Sequence, residues 1–414
     1  MLKSGSNEVR ASWLTTRRLR VHAIILAICL WSSFVWIFSN PGLVGRNRVL
    51  KGADFLHFYT LGIVAQEHRG ADLYNMAAQS SLALEHVPQA GRLFFVSLYG
   101  PQVSLLFAPL ANFSYPWALL MWELFNVMVY GLCCYAIWRT CTNLRGEGTT
   151  VFLLALAYPA FFHLLAWGQT SAIALACCTL AYLELRAGRL FNAGLAVGCL
   201  AFKPQLGLAA AFVLLLSREW RVIGGAMLAG AAQLGAGWLY YGTPVMRDYW
   251  EHVANVRKVM SQLEPRPYQM HGLRSFWAML VPFPQLAFWL YVITALLVLI
   301  AALRGWKSEA QLQVKFGILL FTTVLVSPHL TIYDLTILAP AFLLLTDWAL
   351  GISGPEKRKL ALLLYLCYAL PLLGPLSHWT HLQLSVLAML GLLWMLRRVT
   401  KSTTVRLPEA AAVI

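Results

Sequence analysis

The segment KGADFLHFY, residues 51–59, places a carboxylate among aromatic and apolar neighbours. Asp54 is one of only five aspartates in the 414 residues. Partial desolvation disfavours a charged carboxylate, raises its pKa and makes it a better general base near neutral pH. An aspartate in this position can also cap a helix. The residue types therefore make Asp54 a candidate catalytic base, with a capping role as the alternative.

Two further ionisable residues stand in or beside apolar stretches. Lys203 follows AGLAVGCLAF and is followed at once by Pro204, which breaks a helix. It either extends its amine to lipid headgroups or supplies a fixed cation for a phosphate group. His329 lies in SPHLTIYD, ahead of Tyr333 and Asp334 at helical spacing. It is either a structural histidine or part of a polar site.

The elements that must position these residues are membrane helices. The chain is 59% hydrophobic and 12% charged, with a mean hydropathy of +0.64, whereas a soluble domain carries roughly twice that charge. Apolar runs long enough to cross a bilayer recur from end to end, which indicates a polytopic membrane protein. The run 21–38 lacks a cleavage site and is interpreted as a retained span. No basic segment with interleaved aromatics points to a nucleic-acid partner.

The apolar periodicity predicts an all-α protein with about twelve transmembrane helices, and residues 1–414 are interpreted as one membrane domain. Several of the predicted spans are shorter than about 20 residues and must extend or kink. The spans cover 21–38, 117–138, 151–166, 169–186, 190–202, 204–217, 222–241, 286–303, 312–327, 331–349, 358–374 and 381–397.

The net charge of +15 is interpreted as topology. Basic residues cluster in one set of connections, and by the positive-inside rule this set, with both termini, is cytoplasmic. The outer side then holds two long loops, 39–116 and 242–285. Within the first, 97–112 is interrupted by two prolines and is predicted to be a partial or re-entrant helix.

The same outer loop carries a predicted amphipathic segment. In DFLHFYTLGIVAQEHRGADLYN, Phe55, Phe58 and Ile63 are expected to bury an apolar face in the headgroup region. This topology places Asp54, the GQ at 168–169, the KPQ at 203–205 and the SPHLTIYD at 327–334 on one side of the membrane. We expect them to meet in one cavity.

Five stretches in this order resemble glycosyltransferase family 87, which includes polyprenyl-phosphate-mannose-dependent mannosyltransferases of bacterial envelopes. They are the Asp-Phe at 54–55, DLYN, YGPQVSLLFAPLA, the run from WGQTSAIAL to FKPQLGL, and SPHLTIYDL. The resemblance covers about residues 50–340. It implies a GT-C fold with many transmembrane helices and a catalytic acidic residue in the first outer loop.

By this resemblance Asp54 matches the catalytic aspartate, and Lys203 and His329 fall in motifs that line the active-site cavity, where both are candidates for the donor phosphate. The resemblance also implies an inverting transfer of a sugar from a polyprenyl-phosphate donor to an envelope glycan or glycolipid. Mannose is the expected sugar. The remaining candidates for substrate contacts are His57, Tyr99, Gln169, Gln205, Tyr333 and Asp334.

No metal and no other cofactor is expected. A monophosphate leaving group carries less charge than a diphosphate, and the sequence has no Asp-x-Asp. The expected location is the bacterial cytoplasmic membrane, with the active site facing outward.

Two alternatives stay open. A transporter or flippase of lipid-linked sugars would also bury Lys203 and His329, although the inverted repeats common in transporters are not evident in this sequence. An O-antigen ligase or polymerase-like enzyme would rely on arginines and a histidine in a late outer loop, and 242–285 carries both residue types.

Overall fold

The computed structural model describes residues 15–91, 93–256, 258 and 266–404. Within these ranges the regular elements are helical, apart from two isolated antiparallel bridges, Val44 with Leu50 and Met270 with Thr331. The predicted all-α class is therefore confirmed for the described chain. The interpretation of both termini as cytoplasmic concerns residues that lie largely outside these ranges.

Eighteen α-helices are described. They are α1 (Thr16–Phe38), α2 (Ala53–Gln66), α3 (Met76–His86), α4 (Gln102–Phe107), α5 (Tyr115–Trp138), α6 (Gly148–Leu156), α7 (Pro159–Trp167), α8 (Ser171–Arg186), α9 (Leu190–Gly198), α10 (Leu208–Leu216), α11 (Trp220–Ala254), α12 (Leu273–Leu280), α13 (Pro284–Trp306), α14 (Leu312–Val326), α15 (Ala339–Leu350), α16 (Pro355–Ala369), α17 (Ser377–Thr380) and α18 (Leu384–Thr404). Short 3₁₀ helices include Ala108–Asn112, Cys199–Phe202, Pro204–Leu206 and Ile332–Leu338.

Local sequence signals mark several helix ends. The Thr15 hydroxyl accepts a hydrogen bond from the Arg18 N–H at the start of α1, and the Asn75 side chain caps α3 in the same way. Proline occupies the first turn of α5, α7, α13 and α16, where its missing N–H costs nothing. Helix α11 is kinked at Gly242, whose φ of 80° no helix accommodates.

Six helical stretches in the described residues are long and apolar enough to cross a membrane. They are Thr16–Phe38, Tyr115–Trp138, Trp220–Ala254, Pro284–Trp306, Ile332–Leu350 and Pro355–Thr380. A seventh would be the pair α6 and α7, which is bent by 44°. Each of the twelve predicted spans overlaps one or more helices. Only six or seven helical stretches of the described residues are long and apolar enough to cross a membrane, so the number twelve is not confirmed. The 97–112 segment forms the short α4 and a 3₁₀ turn, Ala108–Asn112.

The predicted amphipathic segment is a buried helix instead, and the expectation of an interfacial apolar face was wrong. In α2 every residue from Ala53 to Ala65 except Asp54 is buried, and Phe55, Phe58 and Ile63 are 0%, 1% and 3% exposed. Helices α4 and α5 and the turn Ala108–Asn112 pack around it. An apolar helix surrounded by protein needs no polar face, so α2 is a core helix of the segment 39–116.

One continuous cluster of buried apolar residues runs from Leu50 to Val399. Helices α5, α7, α8 and α9 pack within it, and their ends carry the polar motifs. All eight cysteines are free, and six of them are buried.

Candidate active site

Asp54 stands in the first turn of α2, and its backbone is fixed from two sides. Gly52 caps the helix in the left-handed region with φ of 63°, a conformation that glycine adopts at no steric cost. The Tyr115 hydroxyl at the start of α5 lies 2.8 Å from the carbonyl oxygens of both Lys51 and Gly52. The carboxylate is therefore presented at the junction of α2 and α5.

The partner of Asp54 comes from the end of α7. The Gln169 side-chain amide donates a hydrogen bond of 2.7 Å to Asp54 Oδ2. Gly168 ends α7 with φ of 71°, and a Cβ placed there would lie 2.6 Å from the Cβ of Phe55. Only glycine lets α7 end so close to α2. The Trp122 indole N–H donates to the Gly168 carbonyl at 3.0 Å, which fixes the turn that carries Gln169.

Lys203 has an acidic partner that lies 131 residues along the chain. Its amine is 2.8 Å from Asp334 Oδ1, and both side chains are 3% exposed. The same oxygen accepts a bond of 2.6 Å from the Ser171 hydroxyl. Asp334 Oδ2 receives the Thr331 N–H at 3.3 Å, which completes a capping box on the 3₁₀ helix Ile332–Leu338. A buried charge is tolerated only when paired and hydrogen-bonded, and this pair is both.

These bonds join the two halves of the site into one network. The Lys203 amine lies 3.4 Å from Gln169 Oε1, while the other end of the same amide binds Asp54. The Tyr333 hydroxyl is 3.2 Å from the Gln169 amide nitrogen, and its ring centre is 5.4 Å from the Lys203 amine. Residues from the four motifs singled out in the sequence therefore meet, as expected.

Burial raises the pKa of the Asp54 carboxyl from 3.8 to about 6, and the Gln169 hydrogen bond and Lys203 oppose this rise. At neutral pH the carboxyl is mostly ionised yet far more basic than an ordinary aspartate. That is the property a general base needs near pH 7.

His57 lies one turn after Asp54 on α2. Its ring centre is 5.1 Å from that of Phe95 and 6.0 Å from that of Tyr99, and it is 5% exposed. Neither ring nitrogen has a hydrogen-bond partner among the described residues. Burial lowers the pKa of His57 to about 4, so the ring is neutral and its nitrogens can bind a hydroxyl. Tyr99 is half-buried beside it.

Gln205 and His329 are placed less centrally. Gln205 lies half-exposed in the turn Pro204–Leu206 that follows Lys203. His329 precedes the 3₁₀ helix Ile332–Leu338, so its expected helical spacing to Tyr333 and Asp334 was wrong. Its carbonyl accepts the Ser327 hydroxyl at 2.9 Å, and its side chain interacts electrostatically with Asp334.

Two residues at or near the site were not among the sequence candidates: Ser171, whose hydroxyl bonds Asp334, and Arg274. The Arg274 guanidinium donates a bond of 3.0 Å to the Pro328 carbonyl, immediately before His329. The bridge between Met270 and Thr331 fixes the second loop to the same segment. Arg274 counted in the sequence only as one of several basic residues in 242–285. No local pattern distinguishes it, because its position depends on pairing across 54 residues.

The basic residues before Asp54 have structural partners. The Lys51 amine donates to the Asn40 and Gly42 carbonyls at 2.6 and 2.8 Å, and Arg46 stacks 5.9 Å from the Trp36 ring. They stabilise the connection after α1.

A sequence profile of glycosyltransferase family 87 matches residues 97–328, more than half of the chain. The chain belongs to glycosyltransferase family 87. As a family 87 member it is a glycosyltransferase, and its apolar helices indicate an enzyme embedded in a membrane. No curated protein and no solved structure matched the chain. Tyr99, Gln169, Lys203 and Gln205 fall inside the family match, whereas Asp54 precedes it and His329 directly follows it.

Proposed function

We propose that this family 87 glycosyltransferase inverts the anomeric centre as it moves a sugar from a polyprenyl-phosphate donor to an envelope glycan or glycolipid. Mannose is the proposed sugar. The observation that carries the proposal is the network in which Asp54, with its raised pKa, is bound through Gln169 to Lys203 and Asp334.

In the proposed step, Asp54 accepts the proton of an acceptor hydroxyl as that oxygen attacks the anomeric carbon. The new bond forms between the acceptor oxygen and the carbon while the carbon–oxygen bond to the phosphate breaks. The electron pair of that bond leaves with polyprenyl phosphate. Attack from the face opposite the phosphate inverts the configuration. The Gln169 amide holds the carboxylate in place during the step.

The phosphate subsite needs more positive charge than Lys203 supplies. Asp334 neutralises Lys203 in the structure, and Asp54 adds a second carboxylate to the network. We place the phosphate beside Lys203, toward His329 and Arg274, since the His329 side chain interacts electrostatically with Asp334 and Arg274 bonds the adjoining Pro328 carbonyl. Positive groups at the departing oxygen stabilise the charge that develops there.

The neutral polar groups near Asp54 suit a sugar ring. His57 and Ser97 are each at most 5% exposed and have hydrogen-bonding atoms without described partners, whereas the Thr170 hydroxyl lies within hydrogen-bonding reach of Tyr99. Unpartnered buried polar atoms are costly, and sugar hydroxyls would satisfy them. Tyr99 and Tyr333 add aromatic faces. Gln205, at the edge of the cluster, is a proposed contact of the acceptor.

The proposed orientation follows from charge. Asp54 lies near the first residues of α5, while Arg139 and Arg145 follow its last residues. By the positive-inside rule the Arg139 end is cytoplasmic, which places Asp54 at the outer face of a bacterial cytoplasmic membrane. The GT-C architecture implied by the resemblance is part of this proposal.

The deciding experiment is sugar transfer from a short-chain polyprenyl-phosphate-mannose to a panel of acceptors by purified wild type and Asp54→Asn. Loss of a general base lowers the rate by about 10² to 10⁴-fold. We expect this loss for Asp54→Asn without a change in thermal stability beyond a few degrees. Asp248→Asn is the matched control, since Asp248 lies on α11 and the bonds of the network do not include it, and we expect wild-type rates. Equal rates for wild type and Asp54→Asn would refute the catalytic assignment.

A further inference from the structure

A second cavity lies among α1, α5, α6, α15 and α16, separate from the Asp54 network. Its volume of about 690 Å³ falls within the range of roughly 300–1,000 Å³ typical of small-molecule sites. Its wall combines an apolar interior with charged residues at one end.

The interior of this cavity is lined mainly by aromatic and aliphatic side chains. Its interior takes hydrocarbon rather than polar groups, because the hydroxyls of its tyrosines are already bound. Tyr130 donates to the Ala155 carbonyl at 2.8 Å, Tyr158 to the Leu335 carbonyl at 2.6 Å and Tyr368 to the Leu154 carbonyl at 2.8 Å. The Tyr365 hydroxyl lies 3.0 Å from a His22 ring nitrogen. The surface of the cavity interior therefore consists mainly of aromatic ring faces and aliphatic carbons.

The charged end of the cavity is net positive. Glu147 is the carboxylate in its lining, and Arg20 from α1 neutralises it at 3.0 Å. Lys357 and Arg358, in the first turn of α16, line the same end. The Lys357 amine donates to the Leu350 carbonyl at 2.8 Å, and Arg358 is exposed. Glu356 precedes these two residues in the same turn but is not part of the cavity lining. The lining therefore carries two cations beyond the Arg20–Glu147 pair, which favours an anion.

The cavity extends along α16, which lines it from Arg358 to Tyr368. From Arg358 at the rim to Tyr368 in the interior is ten residues, or about 15 Å of helix. The charged rim lies far from Asp54, because Asp54 is beside the start of α5 whereas the cavity contacts the second half of α5 at Tyr130 and Cys134. The inner end comes closer to the network, since Tyr158 bonds the carbonyl of Leu335, the residue after Asp334. The two sites do not share a wall residue.

We propose that this cavity binds a lipid monophosphate, with its phosphate between Lys357 and Arg358 and a single hydrocarbon chain among the tyrosine rings. The occupant is a single-chain lipid monophosphate, since one chain with a compact anionic head matches an apolar interior with one cationic rim. This site does not depend on the proposed function, because it includes none of the residues of the Asp54 network.

The test measures binding of farnesyl phosphate to the purified full-length protein by native mass spectrometry. We expect Lys357→Gln/Arg358→Gln to weaken binding at this site at least about tenfold, since hydrogen bonds to charged groups are lost. Ala361→Phe, which fills the cavity and leaves the rim charges intact, should weaken it as well. Two matched controls should bind as wild type: Arg304→Gln/Lys307→Gln, an exposed basic pair elsewhere, and Leu362→Phe on the outward face of α16.

Competing ligands separate the sources of the signal. Farnesol has the same chain without the phosphate, and equal competition by it would overturn the role of the cations. If inorganic phosphate binds as tightly as farnesyl phosphate, the proposal that the cavity binds the hydrocarbon chain is overturned. Equal weakening in the control variants would overturn the location. Binding that persists in Asp54→Asn, whatever that variant does to sugar transfer, supports a site distinct from the proposed active site.

Discussion

At the scale of single residues, Asp54 is partly exposed, whereas its neighbours on α2 are buried. Its carboxylate has two neutral hydrogen-bond donors, the Gln169 amide and the Tyr333 hydroxyl, whereas Asp334 has a lysine, a hydroxyl and a backbone N–H. A carboxylate with fewer donors keeps more of its basicity. Of the two aspartates in the network, Asp54 is therefore the one suited to take a proton.

The raised pKa of Asp54 predicts the pH dependence of transfer. A base must be ionised, so kcat/KM should fall as the pH drops through about 6, rather than near 4 as for an ordinary carboxylate. The stability effect has the opposite sign: a raised folded-state pKa stabilises the protein below 3.8, and this contribution is lost as the pH rises through about 6. A pH–rate profile, with thermal stability measured at each pH, checks both. An acid limb near pH 4 would contradict the prediction.

The Lys203–Asp334 pair predicts a non-additive stability change. Removing either partner leaves an unpaired buried charge and should cost about 3–5 kcal/mol, as in Lys203→Met or Asp334→Leu. The double variant Lys203→Met/Asp334→Leu removes both charges and should recover much of that stability. Thermal unfolding of the three variants measures the coupling. Additive losses would show that the pair is not coupled.

The same variants separate a structural role of the pair from a catalytic one. If Lys203 contacts the donor phosphate, the double variant should regain stability while KM for the donor stays raised. Recovery of both stability and KM would assign the pair to structure alone.

At the scale of helices, α9 and α11 approach so closely that only small residues fit between them. A Cβ on Gly225 would collide with the Phe191 carbonyl and lie 2.8 Å from the Leu195 nitrogen. Gly194 and Gly198 on α9 meet the backbone of α11 in the same way. Small residues at such crossings allow helix backbones to pack in membranes. Because Lys203 follows α9 closely, this contact helps to fix its position.

Two adjacent glycines of α11 give a matched test of this packing. Gly225→Ala should destabilise the protein by about 1–3 kcal/mol, the usual cost of overpacking. Gly224→Ala should be neutral or stabilising, because its Cβ would meet only the Phe191 ring at 3.9 Å and alanine favours a helix. Thermal stability of the two variants in detergent checks this difference. Equal changes would show that the close contact is not selective.

The sequence predicted the helical segments and the meeting of the polar motifs. It did not predict the burial of α2 or the Lys203–Asp334 pair. Charge and apolar length located the helical segments and brought Asp54, Gln169, Lys203 and Asp334 to one end. The burial of α2 was missed because an apolar helix covered by protein has the same composition as one that faces lipid. The Lys203–Asp334 pair was missed because it joins residues 131 positions apart, which no local spacing records.

At the scale of the whole molecule, the two ends of the bundle differ in charge, and this predicts their exposure across the membrane. In intact bacterial cells with the outer membrane permeabilised, a membrane-impermeant maleimide should label Gln89→Cys in the first loop. It should label Ser353→Cys, between α15 and α16, only after lysis. Both positions are exposed, and the unmodified protein gives the background of its own cysteines. The reverse pattern would invert the proposed topology.

The buried ion pair also sets an order of events during synthesis. Lys203 leaves the ribosome 131 residues before Asp334, a delay on the order of ten seconds at typical elongation rates. During this interval the nascent chain contains a lysine without its carboxylate, next to helices that are already apolar enough to enter a bilayer. We expect the segment around Lys203 to stay at the membrane surface, or to be held by the insertion machinery, until α14 and the residues after it emerge. The site is thus completed late, by the chain that follows it.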